Sequence, residues 1–329
     1  MKKVAVLGSN SFSGSDFIDL LLEKGGYQVI GISRSKEKND VFLPYKRHRS
    51  APFTFYQFDL NTDHEKIIRL FEKEKPSYIV NFAAQSEVGP SWQNPQHWFE
   101  TNVVSLAKLT NYLKGATYLK KYIHISSPEV YGTCEGVVKE DAPLNPSTPY
   151  AASKAAADLF LFTLVKNFNF PLVIVRSTNV YGAHQQLFKI IPRTVIAVKL
   201  GNKVQLHGGG KAVKSYIHIR DISRGELTIM EKGEKGEIYH LSPEKGIKVA
   251  DVVKLICQKM GVSFDKATKV VGERLGQDRA YVIDSTKARK EFGWKPTISL
   301  EEGIEGVIGW VNDYWNVIKK LPHEYIHKK

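Results

Sequence analysis

Residues 2–26 read KKVAVLGSNSFSGSDFIDLLLEKGG. An apolar run ends at Gly8, the pattern of a strand buried on both faces. From Phe12 onward apolar residues recur at helical spacing, until Gly25 and Gly26 close the segment. Strand, short loop and helix make the first half of a βαβ unit. Backbone N–H groups at such a helix start attract anions, and glycine lets the backbone approach a phosphate closely. Gly8, Ser11 and Gly14 fall at the spacing G-x-x-G-x-x-G, with Ser in the middle place. Gly8, Ser11, Phe12, Ser13 and Gly14 are therefore candidate contacts to a dinucleotide. The plain alternative is a strand-to-helix turn without a ligand.

The same alternation continues outward from this unit. Residues 27–33 (YQVIGIS), 53–60 (FTFYQFDL), 77–84 (SYIVNFAA), 120–127 (KKYIHISS) and 171–177 (PLVIVRS) read as strands. Helical patterns at 62–76, 96–114 and 149–168 lie between them. Alternation of this kind predicts an α/β fold with a doubly wound parallel sheet, a Rossmann domain. The expected division is a dinucleotide-binding domain over residues 1–178 and a mainly substrate-binding lobe over 179–329. Part of 212–240 is expected to return to the first domain. The second stretch predicts helices at 188–201, 248–261 and 300–315, an extended 203–209, and a strand-then-helix over 214–232.

Composition narrows the function classes. The chain has 329 residues, 42% of them hydrophobic, enough for one or two cored domains. No stretch approaches the roughly 20 apolar residues of a membrane span, so no membrane partner is expected. The basic start and short apolar run resemble a signal peptide, but Gly8 and the polar residues after it fit a strand entering a loop better. Two cysteines, Cys134 and Cys257, cannot form a disulfide framework or a metal cluster, which favours a reducing cytoplasmic setting and no metal. A net charge of +13 favours anionic partners. The densest basic runs are LPYKRHRS (43–50) and the tail HKK (327–329), both readable as solvated surface. Without a nucleic-acid motif, a diphosphate-bearing small molecule is the better candidate.

The end of the second strand bears on the cofactor. An acidic residue there accepts from the ribose 2′-hydroxyl of NAD. Here Ser33, Arg34, Ser35 and Lys36 follow instead. Arg and Ser suit a 2′-phosphate, which a carboxylate would repel, so NADP is expected, with NAD possible. The alternative is that Arg34 and Lys36 are solvated. Asp59, with Leu60 after the third strand, is a candidate acceptor for the adenine amino group or a turn residue.

STPYAASKAAAD (147–158) places Tyr150 and Lys154 at i and i+4 on one helical face. A Lys ammonium beside a phenol favours the phenolate and lowers its pKa. Such a phenol takes a proton from a substrate hydroxyl while hydride leaves the same carbon. Ser127, at the tip of the fifth strand, is placed to hydrogen-bond that oxygen.

These residues resemble the extended short-chain dehydrogenase/reductase family, whose members act on nucleotide-diphosphate sugars. The resemblance covers nearly the whole chain. NFAAQSEVGPSWQNP (81–95) and FETNVV (99–104) look like the segments flanking the cofactor, and Ala83, Ala84, Gln85 and Asn102 are carried over as its contacts, with Ser86 on the substrate side. RSTNVYGAHQQLFKIIP (176–192) resembles the family's R-P-x-N-x-Y-G-P stretch, with Ser177 where Pro is usual. GERLGQDRAYVIDSTKARKEFGWKP (272–296) resembles its C-terminal R-P-G-x-D and Gly-Trp-x-Pro signatures. By position, Asn179, Lys189, Lys214 and Arg274 would meet the diphosphate-nucleotide end of the substrate. Lys214 stands where Arg is common, and Lys is the poorer bidentate ligand.

Within the family the motifs are most similar to the 4,6-dehydratases. The resemblance implies oxidation at C4, removal of the C5 proton by a base, loss of water from C6 and return of hydride to C6. Glu129 stands where the family's Glu does in S-T-D-E-V-Y-G. Pro128 replaces the Asp that donates a proton to the leaving hydroxyl. A C4 reductase or epimerase of a nucleotide sugar is the rival enzyme reading, and a non-catalytic dinucleotide-binding protein the rival outside enzymes. The resemblance also implies a homodimer that pairs the helices near 95–113 and 150–167.

Overall fold

The chain first builds one edge of a sheet and then returns to its middle. β1 (Lys2–Leu7), β2 (Tyr27–Ser33) and β3 (Phe53–Gln57) lie side by side, and β4 (Tyr78–Asn81) pairs with the other side of β1. β5 (Lys121–Ile125) and β6 (Leu172–Ser177) continue from β4, and Ile238–Leu241 completes the far edge. Every pairing is parallel, and the sheet has seven strands. The computed structural model describes residues 1–134, 136–272 and 280–328. The expected α/β, doubly wound architecture is what the chain forms. Its strand order reverses between β1 and β4, and beyond their carboxyl ends lies the crevice where such sheets bind ligands.

Both faces of the sheet are covered. Val4 and Val6 pack with Phe17 and Leu21 of α1 (Phe12–Lys24) and with Ile222 and Met230 of the Ile219–Lys232 helix. Ala5 and Leu7, pointing the other way, pack with Ile67 and Leu70 of α2 (His64–Glu74), with Leu106, and with Leu161. Two-sided burial explains why β1 reads as an unbroken apolar run. At roughly 25 cal/mol per Å² of buried apolar area, these contacts are the main force holding helices to sheet.

A separate apolar cluster joins the helices Ile190–Lys199, Val249–Lys259 and Leu300–Asp313 through Ile191, Val195, Val252, Ile256, Ile304 and Val307. The chain enters this region through Asn179–Tyr181, which pairs in parallel with Tyr216–His218. The last large-sheet strand, Ile238–Leu241, comes from beyond residue 178, and the preceding Ile219–Lys232 helix packs on α1.

Two predicted helices differ in detail. The single helix expected over 96–114 is Pro95–Phe99, a widened π turn at Glu100–Val104, and Ser105–Leu113. Asn102 sits on that turn, and its side chain bonds away from its own helix. Widened turns of this kind often occur at functional sites. The helix expected over 188–201 starts at Ile190, with Pro192 in its first turn, where a missing N–H costs nothing.

Candidate active site

Two connected clefts open at the carboxyl ends of β1 and β4. The first, about 340 Å³, is lined by Gly8, Ser33, Arg34, Ser35, Asp59, Leu60, Ala83, Ala84 and Gln85. The second, about 310 Å³, is lined by Ser127, Glu129, Tyr150, Lys154, Asn179 and Lys189. Ser11, Phe82, Ala84, Ser86 and Gln186 line both, so the two are one channel.

The loop after β1 is built for close approach. Gly8 has φ +80°, and a Cβ there would lie 2.7 Å from the Ala83 nitrogen. A Cβ on Gly14 would lie 2.5 Å from the Gly8 oxygen. Ser11 caps α1, its hydroxyl accepting from the Gly14 N–H at 3.0 Å. The loop is latched to the end of β2. The Asn10 N–H donates to the Ser33 hydroxyl at 3.0 Å, and the Asn10 side-chain amide donates to the carbonyls of Ser35 and Lys36, each at 2.9 Å. A glycine-walled loop at a helix start, opening on an elongated channel, fits a dinucleotide.

The second cleft gathers the remaining candidates. Thr148 caps the Pro149–Phe168 helix by accepting from the Ala151 N–H at 3.1 Å, and Pro149 fills its first position. Tyr150, Lys154 and Asp158 then recur every fourth residue on one buried face. Across from them, Ser127, two residues beyond β5, is extended (φ −149°, ψ 145°) and caps the Pro128–Tyr131 turn. Its hydroxyl accepts from the Glu129 N–H at 3.3 Å and hydrogen-bonds Tyr150. Pro128 is the first residue of that turn, where it fixes φ and gives up no needed donor. Lys189 pairs with Glu87 at 2.6 Å at the cleft wall.

The electrostatics differ from the expectation for Tyr150. Burial raises the phenol pKa, the nearby Glu129 carboxylate raises it further, and the Ser127 hydrogen bond opposes them. Lys154 directs its ammonium elsewhere, donating to the Ile125 carbonyl at 2.8 Å and contacting His124 Nε2 at 3.2 Å. Burial lowers the Lys154 pKa to about 8, with Asp158 opposing and Arg176 adding to the shift. Burial, then the charges of Lys154 and Arg176, hold His124 neutral with a pKa well below the usual imidazole range. Its Nε2 therefore accepts from Lys154, which puts the ring proton on Nδ1. Behind this pair, Asp158 accepts from Ser126 and Arg176, both at 2.7 Å, and Arg176 also bonds Tyr131.

Several predicted residues fall elsewhere. Asn102 lines neither cleft; it braces the wall, accepting from the Gln85 N–H at 2.9 Å and donating to the Gln85 carbonyl and the Ser153 hydroxyl. Lys36 offers its backbone carbonyl to Asn10, while Lys38, two residues on, lines the first cleft. Lys214 lies on the short strand Val213–Lys214, outside both linings. Arg274 lies outside the described residues. Sequence reasoning missed Asn10, which stands inside the quoted loop, and His124, two residues before the serine pair. It also missed Tyr325, Ile326 and Lys328, which line the first cleft. Nothing in local sequence signals a tail returning from so far along the chain.

Comparison with known proteins agrees with this geometry. The sequence pattern described as GDP-mannose 4,6 dehydratase matches residues 6–307. A mouse protein named dTDP-D-glucose 4,6-dehydratase is 31% identical over 94% of this chain and 88% of its own length. A dTDP-glucose 4,6-dehydratase from Streptomyces venezuelae, solved with NAD bound, is similar at TM-score 0.87 and 27% identity over 95% of this chain and 98% of that one. A UDP-glucose 4-epimerase from Thermotoga maritima, solved with UDP-glucose, is similar at TM-score 0.86 and 27% identity, covering 95% and 99%.

Proposed function

The chain belongs to the GDP-mannose 4,6-dehydratase family, and from that premise we propose that it is a nucleotide-diphosphate-sugar 4,6-dehydratase giving a 4-keto-6-deoxy sugar nucleotide. The observation that carries this reading is Glu129 on the same cleft wall as Ser127, Tyr150 and Lys154. A C4 epimerase has no use for a base there; elimination across C5 and C6 requires one.

Tyr150, once ionised, takes the proton of the C4 hydroxyl, and Ser127 hydrogen-bonds the same oxygen. Lys154 holds positive charge behind the phenol. A nicotinamide dinucleotide held by the glycine loop and the first cleft would supply the hydride acceptor for C4 and the hydride donor for C6. Oxidation at C4 acidifies the C5 proton, which Glu129 removes. Pro128 has no group to protonate the leaving hydroxyl, so Glu129 passes that proton to the C6 oxygen, and water departs. Glu129, now a carboxylate again, takes a proton from solvent and delivers it to C5 as the hydride goes to C6, while Tyr150 releases the C4-hydroxyl proton to solvent. The proton from the C4 hydroxyl and the one gained at C5 balance, and the net change is loss of one water.

Residues 1–178, with the returning strand, are assigned to the dinucleotide, and 179–329 mainly to the sugar nucleotide. Asn179 and Lys189 line the second cleft, which supports a role at the diphosphate. Lys214 and Arg274 keep that role only by resemblance. NADP is the cofactor this reading favours. Arg34 and Ser35 line the cleft where an acid would select NAD. A homodimer is supported by exposed Phe99 and Val104 on the 95–113 stretch and by Leu159 and Phe168 on the Pro149–Phe168 helix. Both cysteines are buried and form no disulfide among the described residues, which supports a cytoplasmic setting. No described helix is long and apolar enough to cross a membrane.

The test is turnover of nucleotide sugars in deuterated water. Wild type should place deuterium at C5 of a 4-keto-6-deoxy product. Glu129→Gln should reduce bound cofactor and then stall, because an amide cannot take the C5 proton. Normal turnover of Glu129→Gln without deuterium at C5 would replace this reading with the C4 reductase or epimerase.

A further inference from the structure

The basic tail does not run off into solvent. Tyr325, Ile326 and Lys328 line the first cleft, together with the glycine loop and Arg34. One carbonyl ties the segment to two walls. Lys328 C=O accepts from Gln85 Nε2 at 2.7 Å and from Arg34 Nη2 at 3.2 Å. Gln85 follows β4, whereas Arg34 follows β2. Just upstream, the His327 ring stacks on Trp98 with centroids 5.2 Å apart and planes 5° from parallel. Its Nε2 lies 3.0 Å from His97 Nδ1, and its Nδ1 lies 3.0 Å from the Tyr325 hydroxyl. Tyr325 in turn packs edge-on against Phe188, at 5.3 Å.

The tail also brings charge. Lys38 lines the same cleft, and the Lys38 pKa is lowered, first by crowding from surrounding protein and then by the charge of Lys328. Neither lysine has a carboxylate partner among the described residues. Like charges held close together favour an anion between them. Arg34, at the exit of β2, is a third cation on that wall.

We propose that Tyr325–Lys328 is the closing wall of the dinucleotide site, and that Lys38 and Lys328 flank Arg34 to take the 2′-phosphate of the adenosine ribose. The second half rests on the NADP reading above. A phosphate near −2 in charge offers three acceptor oxygens to the three cations. The 2′-hydroxyl of NAD gains little from either lysine. The wall also suits a reaction that restores its cofactor in every cycle. It hinders exchange of the dinucleotide, while the sugar nucleotide uses the second cleft.

The test uses the full chain and two measurements. Calorimetric titration with NADP and with NAD compares wild type, Arg34→Ala, Lys38→Ala and Lys328→Ala; the last keeps the carbonyl that docks the tail. Each lysine variant should weaken NADP by about fivefold to tenfold, the size of a solvent-screened charged contact, with NAD unchanged and the loss shrinking at high salt. Stopped-flow fluorescence then follows dinucleotide release, which His327→Ala should speed for both cofactors while thermal melting stays near wild type. If wild type prefers NADP and Arg34→Ala erases the preference, but both lysine variants keep it, the phosphate assignment is overturned and the NADP reading stands. If wild type binds both cofactors equally, the NADP reading falls and the phosphate assignment with it. An unchanged release rate in His327→Ala overturns the closing wall in either case.

Discussion

Lys154 is the residue on which the chemistry turns. Its ammonium is buried, bonded to Ile125 and His124, and its pKa is lowered to about 8. Its positive charge is therefore largely present at pH 7, and is lost as pH rises through about 8. If the charge assists ionisation of Tyr150, the rate of cofactor reduction by a nucleotide sugar should fall on the basic side, with an apparent pKa near 8. Lys154→Arg, which stays charged, should remove that limb from a pH profile read by absorbance of the reduced nicotinamide. Tyr150→Phe should slow the same step by about a hundredfold or more, the usual weight of general-base catalysis, and leave nucleotide-sugar affinity in place. Near-normal reduction by Tyr150→Phe would make the pair structural. Expectation and structure part at the phenol itself. A Tyr and a Lys four residues apart predict a lowered phenol pKa, but burial and Glu129 raise it. Spacing in sequence cannot show what the rest of the fold buries.

At the scale of elements, the contact between α1 and the Ile219–Lys232 helix carries an unusual load. Glu226 is 1% exposed, and neither of its carboxylate oxygens has a hydrogen-bond partner among the described residues. Burial raises its pKa well above the usual carboxylate range, and the Asp16 charge across the interface adds to this. Asp16 itself is bonded to Ser223 at 2.6 Å and paired with Arg220 at 3.4 Å. A raised carboxylate pKa means that the folded state holds a proton the unfolded chain releases. Stability from this group is thus fully present below its ordinary pKa, about 4.5, and is lost as pH rises toward the folded value. Glu226→Leu should raise stability at pH 7 by about 1–3 kcal/mol, with a smaller gain near pH 5. Urea unfolding at the two pH values checks this; equal gains at both would show that the carboxylate is not the cause. The same helix pair was legible only as two amphipathic patterns, because the residues that meet across it lie some two hundred positions apart.

At the scale of the whole molecule, some of the exposed apolar residues fall on two neighbouring helices. Leu159 is 60% exposed and Phe168 is 51% exposed on the Pro149–Phe168 helix, and Phe99 and Val104 are exposed on the neighbouring 95–113 stretch. Single exposed apolar residues are ordinary, but several on adjacent helices mark an interface. Leu159→Glu should shift a homodimer to monomer in sedimentation analysis, since a desolvated charge at such a contact is costly. A wild-type chain that sediments as a monomer would remove the dimer reading.

Local sequence alone encodes the parallel sheet, the glycine loop and the pairing of Tyr150 with Lys154, whereas Glu129 joined them through the family resemblance. The first three are encoded by the period of apolar residues, by backbone freedom at Gly8, and by two side chains one helical turn apart. Only the tertiary structure decided that Asn102 braces the wall, that Lys38 rather than Lys36 faces the cleft, and that His124 and Asp158 stand behind Lys154. It alone brought Lys328 beside Arg34, 294 positions away. Those outcomes depend on which distant segments share a wall. That is set by burial of apolar surface throughout the fold, and burial is not a property of any one stretch of chain.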